Sequence, residues 1–211
     1  MSTGEGARAA VPGNDARRAT RAVRDGAIEI TTMRRSHLRG VLQIEEEAFP
    51  RPWSATLFLS ELALRTSRSY HVARIGPNVV GYCGVMFGDG EAHITTIAVD
   101  PRWQKHGIGT RLMLNAVQVA RRAGMRHMTL EVRVSNEEAQ SLYRRFEFQP
   151  VGVRPNYYSE VNEDALVMWV HDIDSEEYGS RIASIAGRIR SLDTSSADPL
   201  GSQTPQQGDS A

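Results

Sequence analysis

Residues 97–111 read Ile97-Ala98-Val99-Asp100-Pro101-Arg102-Trp103-Gln104-Lys105-His106-Gly107-Ile108-Gly109-Thr110-Arg111. The apolar and β-branched residues up to Val99 predict a strand, Asp100-Pro101 predicts a turn, and Gly107-x-Gly109 predicts the start of a helix. The first backbone N–H groups of a helix have no partner within it, and the helix dipole adds partial positive charge there. Glycines let an oxyanion approach those groups closely. The stretch therefore predicts a cradle for a phosphate or pyrophosphate group.

Two common phosphate-binding patterns do not fit this stretch. A dinucleotide-binding fingerprint would place a third glycine three residues after Gly109, where the chain has Leu112. A Walker loop requires Gly-Lys followed by Ser or Thr, and the chain contains no such run. The pattern that remains is Gln104-x-x-Gly107-x-Gly109. The alternative is that both glycines are structural and only let the helix start pack closely on the strand.

The composition is that of an ordinary globular protein. Of 211 residues, 40% are hydrophobic and 24% are charged, with 25 basic and 25 acidic side chains. The absence of net charge argues against a surface that coats nucleic acid. The single cysteine, Cys83, excludes an intramolecular disulfide, and the six histidines show no metal-ligand spacing. We therefore predict no metal and no direct nucleic-acid partner.

The sequence also predicts a cytoplasmic protein without a membrane partner. No apolar run approaches the roughly 18 residues that a bilayer-spanning helix needs. The first residues lack the apolar core of a secretory signal. An arginine-rich organelle transit peptide is the alternative interpretation of this N-terminal segment.

Composition divides the chain into four parts. Residues 1–27, rich in Ala, Gly and Arg, are predicted to form a disordered arm, and residues 28–173 carry the patterns of a folded domain. Residues 174–192 are predicted to form a short amphipathic helix, which either packs on the domain or a partner or is marginal and frays. Residues 193–211, rich in Ser, Asp, Pro, Gly and Gln, are predicted to form a disordered tail. The apolar stripe of the helix consists of Ile182, Ile185, Ile189 and Leu192.

The strand and helix patterns of the domain change near residue 100. Before it, successive short strands predict antiparallel hairpins, and after it, helices alternate with strands. Strands are predicted over residues 28–33, 70–75, 79–87, 92–99, 128–134, 148–153 and 165–170, and helices over residues 36–48, 54–64, 107–123 and 135–146. Ser135 and Glu138 form a capping box for the last of these helices. This order predicts a mixed α/β (α+β) sheet with helices on both faces.

The Gln104-x-x-Gly107-x-Gly109 pattern resembles the acetyl-coenzyme A motif of the GNAT family of N-acetyltransferases. The stretch from Leu130 to Asn136 and the Leu142-Tyr143 pair resemble the second half of that family's domain. The resemblance covers about residues 28–172 and implies a mostly antiparallel sheet with a splayed parallel central pair. The chain is more closely similar to the RimI-type ribosomal-protein-alanine N-acetyltransferases through Ala48-Phe49-Pro50, Pro52-Trp53-Ser54, Ile97-Ala98-Val99-Asp100-Pro101, Leu130-Glu131-Val132-Arg133, Ser135-Asn136, Arg154-Pro155-Asn156-Tyr157-Tyr158 and Glu163-Asp164-Ala165.

The resemblance implies an enzyme that uses acetyl-coenzyme A as co-substrate in a direct attack. It implies that Glu131 is the general base, acting through water, and that Tyr143 is the general acid toward the coenzyme sulfur. It implies that the Val99 backbone N–H donates to the oxyanion and that the Asn136 side chain binds the coenzyme. The remaining implied coenzyme contacts are Ile97, Ala98 and Val99 with the pantetheine arm and Lys105, His106, Gly107, Ile108, Gly109 and Thr110 with the pyrophosphate.

Glu131, Tyr143 and Asn136 also have ordinary structural interpretations. Glu131 lies in an otherwise apolar strand, which is unusual for a carboxylate, but it could be an edge residue paired with Arg133 or Arg126. Tyr143 could be a core tyrosine on an amphipathic helix, and Asn136 a plain helix-start asparagine. Cys83 is interpreted as a small buried residue rather than as an acetyl-accepting nucleophile, because no histidine is close in sequence.

The resemblance also implies the acceptor, the α-amine of a protein N-terminus, specifically the N-terminal alanine of a small-subunit ribosomal protein. Loops at residues 49–53 and 154–158 are predicted to supply aromatic walls, with Trp53, Tyr157 and Tyr158 as substrate-contacting residues. Acidic residues at 45–47 and 160–164 either draw in a basic peptide or form a solvated face. The rival acceptors are a lysine side chain or a small-molecule amine. The rival of a different class is a non-catalytic acyl-coenzyme A-binding module.

Three positions depart from the family pattern. Lys105 stands where arginine is commoner and keeps the charge. Glu147 stands where glycine usually ends the helix, which predicts a tighter or reshaped loop. Arg51 is inserted between two prolines and is expected to affect substrate preference more than chemistry.

Overall fold

The computed structural model describes residues 28–196, so the predicted arm and most of the predicted tail lie outside the described residues. Its strands are β1 (Glu29–Thr32), β2 (Arg68–Ile75), β3 (Asn78–Gly88), β4 (Glu91–Val99), β5 (His127–Arg133), β6 (Gln149–Tyr158) and β7 (Glu163–Val170). Its helices are α1 (Leu38–Ala48), α2 (Ala55–Ala63), α3 (Ile108–Arg122), α4 (Glu137–Arg144) and α5 (Glu176–Ser196). The strands form one seven-stranded sheet in the order β1-β2-β3-β4-β5-β7-β6. The predicted mixed α/β fold class is confirmed.

The parallel pair at the centre of the sheet separates along its length. β4 and β5 pair only over Glu91–Ile94 and His127–Leu130, although both strands continue beyond that point. All other neighbouring strands are antiparallel. The ends of β4 and β5 therefore leave a gap in the sheet, bounded by residues 95–99 and 131–133. The mostly antiparallel sheet with a splayed central pair is thus present.

Helices cover both faces of the sheet, because successive side chains on a strand point to opposite faces. On β2, Val72 packs in a cluster with Val41 of α1 and Phe58 of α2. The next residue, Ala73, belongs to a second cluster with Leu112 of α3. The first cluster carries α1 and α2 on one face, and the second carries α3 and α5 on the other.

Helix α5 packs on the domain. Tyr178, Ile182 and Ile185 are buried in the cluster that includes α3, and the Tyr178 hydroxyl donates a hydrogen bond to the Phe146 carbonyl over 2.9 Å. The Arg121 guanidinium of α3 donates to the carbonyl of Ser175, just before α5, over 3.0 Å. The interpretation of this segment as a marginal, fraying helix is therefore wrong. The helix also continues to Ser196, beyond its predicted end at residue 192.

The start of α4 differs from its prediction. The N-cap is Asn136, whose side-chain oxygen accepts the Ala139 N–H over 3.1 Å. The predicted capping box at Ser135 is wrong by one residue. The Ser135 N–H is instead held by the Glu163 carboxylate over 2.7 Å, so Ser135 belongs to the turn before the helix.

Strand β6 is longer than predicted. It runs to Tyr158, with Arg154 opposite Ala165 and Tyr158 opposite Glu163 on β7. A register shift separates Arg154 from Tyr158. Residues 154–158 are therefore an irregular part of a strand and not a loop. Pro155 is tolerated in this segment because β6 is the edge strand of the sheet that residues 28–196 form.

The position of the missing family glycine keeps a glycine-like backbone. Glu147 has a φ of 65°, in the left-handed region that glycine adopts most readily. Its carboxylate forms an ion pair with Arg181 of α5. The substitution therefore adds a contact between the end of α4 and α5 at the cost of a strained backbone.

Candidate active site

Two cavities meet at the gap between β4 and β5. The glycine cavity, of about 610 Å³, is lined by residues 97–99, Lys105 and residues 107–110. The aromatic cavity, of about 660 Å³, is lined by residues 49–54, by His93 and Glu131, and by Tyr157 and Tyr158. Five residues line both cavities, namely Phe49, Ile97, Arg133, Asn136 and Tyr143. Thus three of the predicted site residues, Ile97, Asn136 and Tyr143, lie at the junction.

A larger cavity of about 890 Å³ lies elsewhere. It is lined by Arg34, Arg35 and Arg65 and by parts of α2 and β2. It contains none of the residues that the sequence assigned to chemistry. We therefore place the candidate active site at the gap and not in this third cavity.

The start of α3 has the predicted cradle geometry. Gly107 is the N-cap with a left-handed φ of 74°, and its helix has no side-chain cap among the described residues. The first N–H groups of α3 consequently border the glycine cavity without a capping side chain. Lys105, Arg133 and Arg145 add positive charge to the cavity wall, which also includes Glu47 and Glu138. Such a helix start with surrounding cations suits a pyrophosphate.

Gly109 has both a binding and a packing role. A Cβ added there would lie 3.2 Å from Leu142 Cδ2 and 3.8 Å from Val99 Cγ2. The missing side chain therefore lets α3 approach α4 and β4, and it also leaves space in the glycine cavity that a side chain would occupy. The structural and binding interpretations of this glycine are not exclusive.

Along β4, the backbone N–H and C=O groups of alternate residues face the gap. The Asp100 N–H donates to the Val80 carbonyl of β3 over 3.1 Å, and Ala98 lies opposite Tyr82 in the same antiparallel ladder. Hydrogen-bonded pairs alternate along such a ladder, so the polar backbone groups of Ala98 face β3. Those of Ile97 and Val99 face the gap. The predicted backbone contacts therefore fit Ile97 and Val99 but not Ala98.

The other predicted cradle residues divide into two groups. Ile108 and Thr110 line the glycine cavity together with Lys105 and the glycines. His106 lines neither cavity, and its Nδ1 lies 2.7 Å from the Gln104 carbonyl oxygen. Asn136 lines both cavities, but its side-chain oxygen caps α4. Only its amide nitrogen remains for a ligand.

Glu131 is a nearly buried carboxylate, 7% exposed, on the wall of the aromatic cavity. Its Oε2 lies 3.2 Å from His93 Nε2, and its Oε1 lies 3.0 Å from the Arg154 guanidinium. The hydrogen bond from His93 lowers the pKa of Glu131, with Arg154 adding to this effect and burial opposing it. The carboxylate is therefore ionised at neutral pH. The alternative pairing with Arg133 or Arg126 does not occur.

Tyr143 is buried on α4, and its ring packs 6.2 Å from the ring of Phe148. Burial raises the pKa of the Tyr143 hydroxyl, so it keeps its proton at neutral pH. The residue also lines both cavities. It is therefore part of the core, as the structural alternative held, and at the same time part of the junction.

Three aromatic side chains form walls of the aromatic cavity, as predicted. Tyr157 and Tyr158 meet edge to face, with ring centroids 5.1 Å apart. The Arg154 guanidinium lies 5.8 Å from the centre of the Tyr157 ring. Across the cavity, the Trp53 ring packs against Phe58 at 5.4 Å. The bulged end of β6 and the segment before α2 thus face each other.

Sequence reasoning missed the role of Glu45. It was grouped with the solvent-facing acidic residues, but it is only 1% exposed. One carboxylate oxygen accepts the Trp53 N–H over 2.9 Å, and the other accepts a hydrogen bond from the buried Tyr82 hydroxyl. Burial raises the pKa of Glu45. The sequence offers no signal for this contact, because Tyr82 is 37 residues away from Glu45 along the chain and meets it only in the fold.

His93 and Arg154, the partners of Glu131, also received no role from the sequence. The available signal was weak. Alternate residues of a strand share a face of the sheet, so His93 and Glu131 could be predicted as neighbours only from the register of β4 and β5. Cys83 is buried in the core, and burial raises the pKa of its thiol to about 12. This fits its interpretation as a small buried residue.

Within residues 28–196, no group of three or more His, Cys, Asp and Glu residues is arranged to hold a metal ion. None of the helices in that range is long and apolar enough to cross a membrane.

Comparison with known proteins identifies the family. Residues 38–148 match the model of the acetyltransferase (GNAT) family. The chain belongs to the GNAT acetyltransferase family. It is accordingly an acetyl-coenzyme A-dependent N-acetyltransferase, as the resemblance implied.

Similar proteins within the GNAT family include enzymes named as N-acetyltransferases of a ribosomal protein. A candidate ribosomal protein bS18-alanine N-acetyltransferase of Bacillus subtilis is 38% identical over 141 residues, which cover 67% of this chain and 93% of the relative. The N-alpha-acetyltransferase RimI of Mycobacterium tuberculosis is 35% identical over 147 residues, covering 67% and 90%. The crystal structure of the ribosomal-protein-S18-alanine N-acetyltransferase of Escherichia coli superposes with a TM-score of 0.63 at 28% identity, over 69% of this chain and 94% of that one.

Proposed function

We propose that this GNAT enzyme transfers an acetyl group from acetyl-coenzyme A to the α-amine at a protein N-terminus. The observation that carries the proposal is the junction of the two cavities, where Ile97 and Tyr143 line both and Glu131 lies on the aromatic side. The glycine cavity takes the coenzyme, and the aromatic cavity takes the acceptor. The two reactants then meet only at the junction, between a base and an acid.

The glycine cavity fits the coenzyme by its chemistry. The uncapped start of α3, with Lys105 and residues 107–110, suits the pyrophosphate. The backbone groups of Ile97 and Val99 that face the gap suit the amides of the pantetheine arm. The Asn136 amide nitrogen is available for a further contact. When bound, the coenzyme supplies the acetyl group as a thioester.

Residues at the junction and on either side of it divide the proton transfers between them. Glu131, an ionised carboxylate whose pKa is lowered by His93 and Arg154, accepts the proton of the acceptor amine through water. Tyr143, a neutral phenol whose pKa burial raises further, holds a proton for the departing sulfur. The Val99 N–H donates toward the oxygen on which negative charge develops. We propose these three roles for direct attack of the amine.

The acceptor that fits this arrangement is an α-amine. The reference pKa of an α-amine is about 7.7–8.0, against about 10.4 for lysine. At neutral pH a useful fraction of α-amines is already neutral, so a carboxylate with a lowered pKa suffices as the base. We propose the N-terminal alanine of a small-subunit ribosomal protein as the acceptor and the cytoplasm as the location. The names of the Bacillus subtilis and Escherichia coli relatives, which specify bS18 alanine, support this choice.

Fewer acidic side chains are placed to attract a basic peptide to the aromatic cavity than the sequence predicted. Glu163 and Asp164 bind the backbone N–H groups of Ser135 and Asn156, and Glu45 is buried. Glu160 is the acidic residue of this group that is exposed and lines the aromatic cavity. We propose that Glu160 contacts a basic residue of the acceptor peptide.

The experiment that tests the proposed function uses a mixture of ribosomal proteins as acceptors. The enzyme is incubated with labelled acetyl-coenzyme A, and the acetyl groups are located by mass spectrometry. We expect label on the N-terminal α-amine of a small-subunit protein that begins with alanine. Label on lysine side chains would favour the lysine acceptor, and coenzyme binding without any transfer would favour a non-catalytic module.

A further inference from the structure

His93 connects the two central strands at the point where their backbones separate. It lies opposite Thr129, one residue before the last paired position at Ile94 and Leu130. Glu131 is the first residue of β5 beyond the pairing. The contact of His93 Nε2 with Glu131 Oε2, at 3.2 Å, therefore continues the link between the strands by one side-chain pair. Both residues line the aromatic cavity.

The two partners of Glu131 differ in how firmly they are held. The Arg154 side chain is 58% exposed and lies beside the register shift of β6. An ion pair with such an exposed partner fixes little geometry. The His93 side chain is 25% exposed and extends from the part of β4 that is paired on both sides. His93 is thus the more rigid support of the carboxylate.

We propose that His93 is a positioning residue for acetyl transfer, because its Nε2–H holds Glu131 Oε2 and so fixes the carboxylate that takes the acceptor's proton. The carboxylate oxygen can only accept, so Nε2 must carry the proton of this hydrogen bond. The bond leaves the other lone pairs of Glu131 for the water or amine at the junction. The inference rests on the proposed function, in which Glu131 is the proton acceptor.

The pKa of Glu131 supports this role. The hydrogen bond from His93 is the largest influence on the carboxylate and lowers its pKa, whereas burial alone raises it. Without His93, the carboxylate would lose both its orientation and part of its preference for the ionised form. A small displacement of a catalytic group is enough to slow a reaction by roughly 100-fold.

The test compares His93→Leu, which removes the N–H donor, with His93→Gln, which places an amide N–H near the position of Nε2. The acceptor is a peptide with a free N-terminal alanine. We expect His93→Leu to lower kcat by roughly 10- to 100-fold without raising KM for either substrate, and His93→Gln to recover most of the loss. His171→Leu is the matched control, because His171 is exposed and lines neither cavity. It should keep the wild-type kcat.

A double variant shows whether His93 acts through Glu131. If it does, adding His93→Leu to Glu131→Gln causes no further loss of kcat, since residues that act as a unit are non-additive. Independent, multiplying losses in the double variant would overturn the proposal. Wild-type kcat in His93→Leu, or equal loss in His93→Leu and His93→Gln, would overturn it as well.

A spectroscopic measurement separates failure of this inference from failure of the proposed function. Proton–nitrogen NMR of the histidine side chains, recorded without any acceptor, should show His93 protonated at Nε2 with slow exchange. That signal should broaden or vanish in Glu131→Ala. A signal unchanged by Glu131→Ala would contradict the contact itself, whichever amine the enzyme acetylates.

Discussion

The surroundings of Glu131 and Tyr143 reinforce the protonation state that each side chain has at neutral pH. Two donors lower the pKa of Glu131, whereas burial raises the pKa of Tyr143. An ionised Glu131 and a neutral Tyr143 fit their proposed roles as proton acceptor and proton donor. Both residues were predicted from the sequence through the family resemblance. Their partners His93 and Arg154 were not, because they come from other strands and depend on the register of the sheet.

Glu131→Gln should lower kcat strongly and leave coenzyme binding intact. Acid–base contributions are typically 100- to 10,000-fold, or roughly 3–5 kcal/mol. Glu131 does not line the glycine cavity, so calorimetry should give an unchanged affinity for acetyl-coenzyme A. Because the pKa of Glu131 is lowered, its carboxylate stays ionised as the pH falls through the neutral range. The loss of rate below about pH 8 should therefore follow protonation of the acceptor amine, and near-normal turnover of the variant across this range would remove Glu131 from the mechanism.

Among the structural elements, the segment between α1 and α2 shows how a buried charge shapes the acceptor side. Glu45, in the last turn of α1, binds the Trp53 N–H and the Tyr82 hydroxyl. It thereby ties the proline-containing segment, residues 50–53, to β3. Among residues 28–196 no cationic side chain forms an ion pair with this carboxylate, and its two hydrogen bonds satisfy it.

Glu45→Gln should weaken the acceptor side of the site selectively. The neutral amide has one accepting oxygen and one NH2 donor, so the Trp53 N–H and the Tyr82 hydroxyl can no longer both donate to a carboxylate, which costs about 1–3 kcal/mol. We expect a lower melting temperature and a higher KM for the peptide, with KM for acetyl-coenzyme A unchanged. Glu46→Gln is the control, because Glu46 is the exposed neighbour on the same helix. Equal effects of the two substitutions on the peptide KM would contradict the anchoring role.

Gly109→Val should weaken coenzyme binding by adding a branched side chain to the wall of the glycine cavity. The new Cβ would lie 3.2 Å from the flexible end of Leu142, so a modest loss of stability should accompany the effect. Gly152→Val is the control, because a Cβ at Gly152 meets nothing within 4 Å. Calorimetry with acetyl-coenzyme A measures both variants. An unchanged affinity in Gly109→Val would refute the cradle.

The sequence predicted those elements that have strong local signals. The helix after Gly107 and the strands before residue 100 follow from periodicity and turn residues, and they agree with the structure within a few residues. The continuation of β6 through Pro155 was missed, since proline argues against a strand and only the free edge beside β7 permits it. The packing of α5 was left open because an apolar stripe does not name the surface it covers.

The protein as a whole brings its chemistry together through one irregularity of the sheet. The motif around Gly107 is separated in sequence from Glu131 and from the aromatic residues of β6. The divergence of β4 and β5 places the glycine cavity and the aromatic cavity on a common junction. The sequence motifs predicted residues of the glycine cavity and of the aromatic cavity. That the two cavities meet at Ile97 and Tyr143 depends on the fold.

The proposed acceptor is an N-terminal α-amine, and a matched pair of peptides tests this acceptor directly. Both begin with alanine, continue with basic residues and contain an internal lysine, but one has its α-amine blocked. Mass spectrometry after incubation with the enzyme and acetyl-coenzyme A locates the product. The proposed function predicts acetylation of the free peptide at its α-amine and no reaction of the blocked peptide. Acetylation of the blocked peptide on lysine at a comparable rate would contradict it.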